Sequence, residues 1–213
     1  MESNASIKGY QIVNLADMII ELGEDMTKHI LLNFSCHLNR DIENFLHYKS
    51  IEFSKQALAR THLVFCSYKS KLVLVAYFAL ANKFIQVEPN ALSKTLRKRI
   101  TKFGTFYSSI KKYIISAPLI AQLGKNYEYE NENLITGDEI LKMACDKIRE
   151  VQLIAGGNIV YVECEDIPKL KEFYLRNGFV EFGKRRLDND ERDDLSGDYL
   201  IQMVKCLHKS VKA

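Results

Sequence analysis

Between residues 113 and 164 the hydrophobic period of this chain changes twice, and that change restricts the fold more than any other feature. Residues 113–123 are apolar and β-branched apart from Ser116, Pro118 and Gln122, so their second half reads as a buried strand. A polar loop follows at residues 125–133. Thr136-Gly137-Asp138-Glu139 then spells a capping box, in which the threonine hydroxyl accepts from the glutamate amide and the glutamate reaches back. Ile140, Leu141, Ala144, Cys145 and Ile148 continue at helical spacing until the turn Ala155-Gly156-Gly157-Asn158, and residues 159–164 read as a second strand. Strand, helix, strand in that order is a crossover between parallel strands.

The flanks call for antiparallel pairing around it. Residues 11–34 carry Leu15, Met18, Ile19, Leu22, Met26, Ile30 and Leu31 at helical spacing, which predicts one long helix. Residues 39–57 predict a second, with Ile42, Phe45 and Leu46 inward. Residues 61–68 and 72–80 form a predicted hairpin about Lys69-Ser70-Lys71, its second strand able to run on to Val87. Ser93 caps a predicted basic helix over residues 94–102. Asp166 is expected to cap a short helix with Pro168 in its first turn, Leu170 and Phe173 buried, and a left-handed end at Asn177-Gly178. Residues 179–182 and 199–204 are the last predicted strands. The fold class is α/β, with a single domain expected for 213 residues.

A content of 47% hydrophobic and 27% charged residues is that of a soluble globular protein. The longest apolar stretches, at residues 72–80 and 113–120, fall short of the ~20 residues a bilayer demands. Met1-Glu-Ser-Asn has neither the basic start nor the apolar run of a signal peptide, so a cytoplasmic protein with no membrane partner is expected. The five cysteines lie among apolar neighbours without a CxxC, as buried reduced thiols do, and the histidines are isolated, so no metal is expected. Net charge is only +3 but unevenly spread. Residues 89–127 hold no Asp or Glu, yet include Lys94, Arg97, Lys98, Arg99, Lys102, Lys111, Lys112 and Lys125. The acids crowd instead at Asp188, Asp190, Glu191, Asp193, Asp194 and Asp198. Such a basic run is either a solvated face or the docking face for an anionic partner.

The order of elements from Leu119 to Phe182, ending in Phe173-Tyr174-Leu-Arg-Asn177-Gly178-Phe179, resembles the GNAT acetyltransferase superfamily. The resemblance implies a mixed, mostly antiparallel central sheet with a splayed parallel pair and flanking helices, and a CoA-binding half at about residues 113–185. It implies acetyl-CoA as cosubstrate, with its pantetheine arm along Leu123, Gly124 and Lys125. The diphosphate would lie on the amides of Ile135, Thr136, Gly137, Asp138 and Glu139, at the positive end of a helix dipole. Tyr174 would protonate the departing thiolate and the Leu123 amide would hold the oxyanion. The family's loop motif, Q/R-x-x-G-x-G/A, aligns on residues 132–137, where only Gly137 matches and Glu132 replaces the basic or amide residue. Thr136 to Glu139 also suit an ordinary capped helix packed on a sheet, and Phe173 and Tyr174 also suit core aromatics. Ile167 stands where many members carry an asparagine. Glu163, Glu165, Glu88 and His62 are the available bases, none singled out.

Phe34-Ser-Cys-His-Leu38-Asn-Arg-Asp41, then Phe45-Leu46 and Arg60-Thr61-His-Leu-Val-Phe65, is similar to the GNAT branch that includes tRNA-acetylating toxins. That branch implies an aminoacyl-tRNA α-amine as acceptor, with Lys94, Lys98 and Lys102 along the phosphate backbone, and an antitoxin-like protein partner. A small molecule or a protein amine is the alternative acceptor. A GNAT-like module that binds acyl-CoA or a partner without turnover is the alternative to an enzyme. The oligomeric state is left open, a dimer included.

Overall fold

Two residues cut the first predicted helix into three pieces. Asn14 accepts a hydrogen bond from the Ala16 amide and so starts a helix where the spacing had only a continuation, and Gly23, at φ 78°, ends that helix after two turns. Residues 11–34 are therefore a strand β1 (Tyr10–Asn14) and two helices, α1 (Leu15–Leu22) and α2 (Glu24–Leu31). The computed structural model describes residues 9–128, 134–188, 195 and 197–207. The second predicted helix starts as expected: the Asn39 side chain accepts from the Asp41 and Ile42 amides at the head of α3 (Arg40–Asn44). It continues through a π-helical turn at Phe45–Lys49 into α4 (Ser50–Lys55).

The hairpin strands are β2 (Arg60–Tyr68) and β3 (Lys71–Val87), so the second does run on to Val87. Lys69 and Ser70 between them both have positive φ, 48° and 61°, the left-handed pair that a tight hairpin turn requires. Then come α5 (Lys94–Ile100), a 3-10 turn at Thr101–Phe103, β4 (Gly104–Tyr107) and β5 (Lys112–Lys125). The remainder is α6 (Gly137–Ala155), β6 (Ile159–Cys164), α7 (Pro168–Arg176), β7 (Val180–Arg186) and β8 (Tyr199–Cys206).

Hydrogen bonding orders the strands β1-β2-β3-β5-β6-β8-β7, with β4 beside β5 off that path. β1 pairs with β2, β4 with β5, β6 with β8 and β7 with β8 in antiparallel register, and β5 pairs with β6 in parallel. This is the expected mixed sheet, and α6 is the expected crossover. The parallel pairing is short in its register. It holds for Leu119↔Tyr161 and Ile120↔Val162, while β5 runs on to Lys125.

The chain divides into two compact units, Met1–Ala79 with Gln122–Ile140, and Leu80–Ala121 with Leu141–Ala213. The core of the first joins Leu15, Leu31, Phe34, Phe45, Leu46, Leu63, Leu74 and Tyr77. The core of the second joins Ile85, Val87, Ile100, Ile115, Ala117, Ile159, Tyr161 and Val204. The expected stripe of α6 (Ile140, Leu141, Ala144, Cys145, Ile148) is buried throughout. On α7 the pattern differs from expectation. Tyr174 is the buried residue while Leu170 and Phe173 are half-buried. Asp166 is not the cap, since Ile167 occupies that position without a side-chain bond, and the Asp166 carboxylate instead meets Lys171 and Lys184, each at 3.4 Å. Cys36, Cys66, Cys145 and Cys164 are buried free thiols and Cys206 is half-buried.

Candidate functional site

In the first unit the end of β5 is fixed by a residue that sequence reading missed. Asn126, 5% exposed, gives its side-chain amide to the Asn33 and Leu74 carbonyls, at 2.8 and 2.7 Å. Its side-chain oxygen accepts from the Ser35 and Glu128 amides, both at 2.9 Å, and its own amide donates to the Val75 carbonyl. A buried amide with every bond made holds the backbone on either side of it in one place. Two residues earlier, Gly124 is buried, and a Cβ there would stand 2.6 Å from Tyr77 Cε1, 2.7 Å from Ile42 Cγ2 and 3.0 Å from Phe34 Cζ. Glycine at 124 thus serves close packing of the strand. Leu123 and Lys125 on either side are half-buried. Gln122 donates to the Asp41 carboxylate at 2.9 Å.

The start of α6 is the capping box read from sequence. The Glu139 carboxylate accepts from the Thr136 amide at 2.7 Å and from the Thr136 hydroxyl at 2.8 Å, and the Thr136 Oγ1 lies 3.2 Å from the Glu139 amide. A second anchor was not foreseen. The Tyr10 hydroxyl lies 2.8 Å from the Leu134 carbonyl and 3.2 Å from the other Glu139 oxygen. Burial and the Glu139 carboxylate push the Tyr10 hydroxyl well above the ordinary phenol range. Ile135 is buried, Thr136 and Asp138 are exposed, and Gly137 is half-buried. Glu132 lies outside the described residues, as do Asp190, Glu191, Asp193 and Asp194 of the acidic run.

In the second unit Tyr174, 7% exposed, sits edge-on to the rings of Phe173 and Phe179, at 5.0 and 5.5 Å between centroids. Burial, with the Cys164 and Cys145 sulfurs adding to it, raises its hydroxyl above the ordinary phenol range. A phenol so placed stays protonated at neutral pH and gives up its proton less readily than an exposed one. Gly178, at φ 81°, ends α7 as expected. Among the four bases weighed, Glu163 is engaged by Arg185 Nε and by the Gln202 amide, both at 2.8 Å, and Glu88 pairs with Lys112 at 3.4 Å.

The Ser93 hydroxyl caps α5 by accepting from the Leu96 amide at 3.3 Å. Lys94 and Lys98 on that helix and Lys102 in the following turn are exposed, while Ile100 is buried and Leu96 half-buried. Arg97 is turned back to the Pro89 carbonyl at 2.6 Å. Among the described residues, no group of three His, Cys, Asp or Glu could hold a metal ion, and no helix is long and apolar enough to cross a membrane.

The fit to acetyl-CoA differs along its length. An extended strand end with its backbone pinned by Asn126 suits amide bonds from a pantetheine arm, as one strand bonds another. At α6 the helix dipole and Gly137 suit a diphosphate, but the Glu139 carboxylate already bonds the Thr136 amide there. The extended strand end is compatible with the arm, and the capped helix head with the diphosphate only in part.

Neither a family model nor a curated protein sequence matches the chain. Solved structures do, and the fold they share with it is that of the GNAT acetyltransferases. The toxin AtaT complexed with acetyl-methionyl-tRNAfMet is 16% identical, covering 91% of this chain and 94% of its own, with a TM-score of 0.59. A tyrosine-to-phenylalanine mutant of KacT gives the same identity, coverage and TM-score. A similar AtaT mutant, bound to acetyl-CoA and the C-terminus of the antitoxin AtaR, is 13% identical over 93% of both chains, with a TM-score of 0.56.

Proposed function

We propose that this chain is an N-acetyltransferase that uses acetyl-CoA, its residues 1–213 forming one GNAT domain, and that the acceptor is the α-amine of an aminoacyl-tRNA. The observation that carries the first part is the parallel register of β5 and β6. It stops at Ile120↔Val162, and β5 continues to Lys125 with its end pinned by Asn126. Acetyl-CoA supplies an activated acetyl thioester. In this reading the Leu123 and Lys125 backbone bonds the pantetheine, and residues 135–139 receive the diphosphate. A neutral amine attacks the carbonyl, so that a C–N bond forms and the C–S bond breaks. The Leu123 amide donates to the carbonyl oxygen as it gains charge, and Tyr174 gives its proton to the thiolate sulfur, to be restored by the proton the nitrogen loses.

The acceptor is supported by the exposed Lys94, Lys98 and Lys102 in a stretch without a single acid, and by the tRNA adduct bound to AtaT. An antitoxin-like protein partner belongs to the same reading, by likeness to AtaT with AtaR. A second reading, a GNAT-like module that binds acyl-CoA or a partner without turnover, is supported by the loop at residues 132–137, where only Gly137 keeps the family's motif. The test is release of free CoA thiol from acetyl-CoA in the presence of aminoacyl-tRNA, deacylated tRNA or a small polyamine. Release with aminoacyl-tRNA alone supports the proposal. Release with the polyamine alone moves the acceptor to a small amine, and binding of acetyl-CoA without release to any of them supports the second reading.

A further inference from the structure

The second unit has a sheet face that its own core leaves uncovered. On β3, Ile85 and Val87 point into the core, and Phe84 between them and the turn points the other way, 74% exposed. On β5, Ile115 and Ala117 are core residues and Ser116 is exposed. Since side chains alternate along a strand, Phe84, Ile114 and Ser116 belong to the face opposite the core. β4 extends that face. Its register sets Thr105 across from Ile114 and Tyr107 across from Lys112. Gly104 makes the approach of β4 possible: a Cβ there would stand 2.4 Å from Ile115 Cγ1 and 2.7 Å from the Ile114 carbonyl, which is backbone and cannot step aside.

An open groove of about 450 Å³ lies on this face. Phe84, Phe103 and Tyr107 line it together with Lys102. Phe103 and Tyr107 are 39% and 46% exposed, so three aromatic rings face solvent within one concavity. A soluble domain gains nothing in stability from such exposure. The charge of the surroundings decides what would cover the rings. Every groove residue except Phe84 lies in the acid-free run of residues 89–127, whose exposed cations include Lys94, Lys98 and Lys102. Rings that offer flat faces next to Lys102, with the nearby Glu88 carboxylate held by Lys112 across from Tyr107, suit a polyanion whose own apolar parts are flat. A nucleic-acid single strand has that chemistry: its bases stack on aromatic side chains while lysines take its phosphates. A paired duplex hides its base faces, and an acidic peptide has none.

We infer that the groove formed by Phe84, Phe103, Tyr107 and Lys102 is a binding site for an unpaired stretch of nucleic acid, one or two bases stacking on the rings. The site deepens the tRNA reading, because a tRNA presents unpaired bases at its end and in its loops. It rests on that reading for its biological use but not for its chemistry.

The test is fluorescence anisotropy of the full chain with a labelled oligoadenylate RNA of about 12 nucleotides and with an RNA duplex of the same length. The single strand should bind more tightly than the duplex. Phe84→Ala, at an exposed position that the core does not use, should weaken it by about tenfold, and Phe84→Trp should restore it, because any flat ring serves. Lys102→Glu should weaken it too and flatten its salt dependence. Equal affinity for strand and duplex, or an unchanged affinity in Phe84→Ala, overturns the site and leaves a plain basic surface. So does full displacement of the RNA by polyglutamate at equal charge, which would assign the groove to an acidic protein segment. Thiol release is scored separately. Release with aminoacyl-tRNA from a Phe84→Ala protein of wild-type affinity would sink this site and leave the acetyl-transfer proposal standing, whereas RNA stacking without release would do the reverse.

Discussion

Glu139 closes back on Thr136 at the head of α6, its carboxylate taking both the amide and the hydroxyl of the threonine, at 2.7 and 2.8 Å. In the proposed reading the diphosphate lies at these amides, so the carboxylate would compete with it for one patch of positive potential. Glu139→Gln keeps an acceptor for the Thr136 amide and removes the charge. Its affinity for acetyl-CoA should rise about two- to fivefold, measured by calorimetry. Thr136→Ala should lower stability by about 1 kcal/mol through loss of the cap, measured by denaturant unfolding. An unchanged affinity in Glu139→Gln would place the diphosphate elsewhere.

Tyr174→Phe keeps the ring between Phe173 and Phe179 and removes only the hydroxyl. Turnover should fall by about 10- to 1000-fold with acetyl-CoA affinity unchanged. Unchanged turnover would take Tyr174 out of the chemistry.

Burial raises the hydroxyls of both Tyr174 and Tyr161 above the phenol range. A raised folded-state value means that folding favours the protonated phenol. That stabilisation is fully present below the unfolded value of about 10 and is lost as pH rises through the folded one. The melting temperature should therefore drop above about pH 10, and Tyr174→Phe should make the drop shallower. A drop of equal steepness in the variant would count against the shift at Tyr174.

Gly124→Ala forces a methyl group into the rings of Tyr77 and Phe34 and the Ile42 side chain. The loss of stability should be about 1–3 kcal/mol, read from the shift in denaturant midpoint. A neutral substitution would mean that β5 is free to move away from the helices it packs on.

Lys98 and Lys102 are exposed, and reversing both to Glu should flatten the salt dependence of tRNA affinity by roughly two in the log–log slope. Acetyl-CoA binding should not change. A solvated face with no role predicts no measurable tRNA affinity at ~50 mM salt in either protein.

What could be read from the sequence was what adjacent residues decide. Thr136 and Glu139 are three apart, and the reciprocal cap they form needs no other part of the chain. The same holds for Ser93 over Leu96 and for the left-handed Gly178. What escaped depends on distant partners. Ile12 and Val13 lie in a run whose apolar residues keep helical spacing up to Leu31, but β1 is held extended by pairing with residues 62–66, such as Tyr10 with Cys66. Asn126 looks like any loop asparagine until Asn33, Ser35 and Leu74 are brought around it. Asp166 has the look of a cap, and was claimed by Lys171 and Lys184 instead. β4 is four residues long, too short for its alternation to stand out.

Every enzymatic step above depends on the cosubstrate, so titration of the full chain with acetyl-CoA in a calorimeter is the most direct measurement. The predicted result is a saturable one-site isotherm with a Kd below ~1 mM, weakened in Gly137→Val. No saturable heat at millimolar acetyl-CoA, or binding of equal strength in Gly137→Val, would contradict the placement of the cosubstrate on β5 and the head of α6.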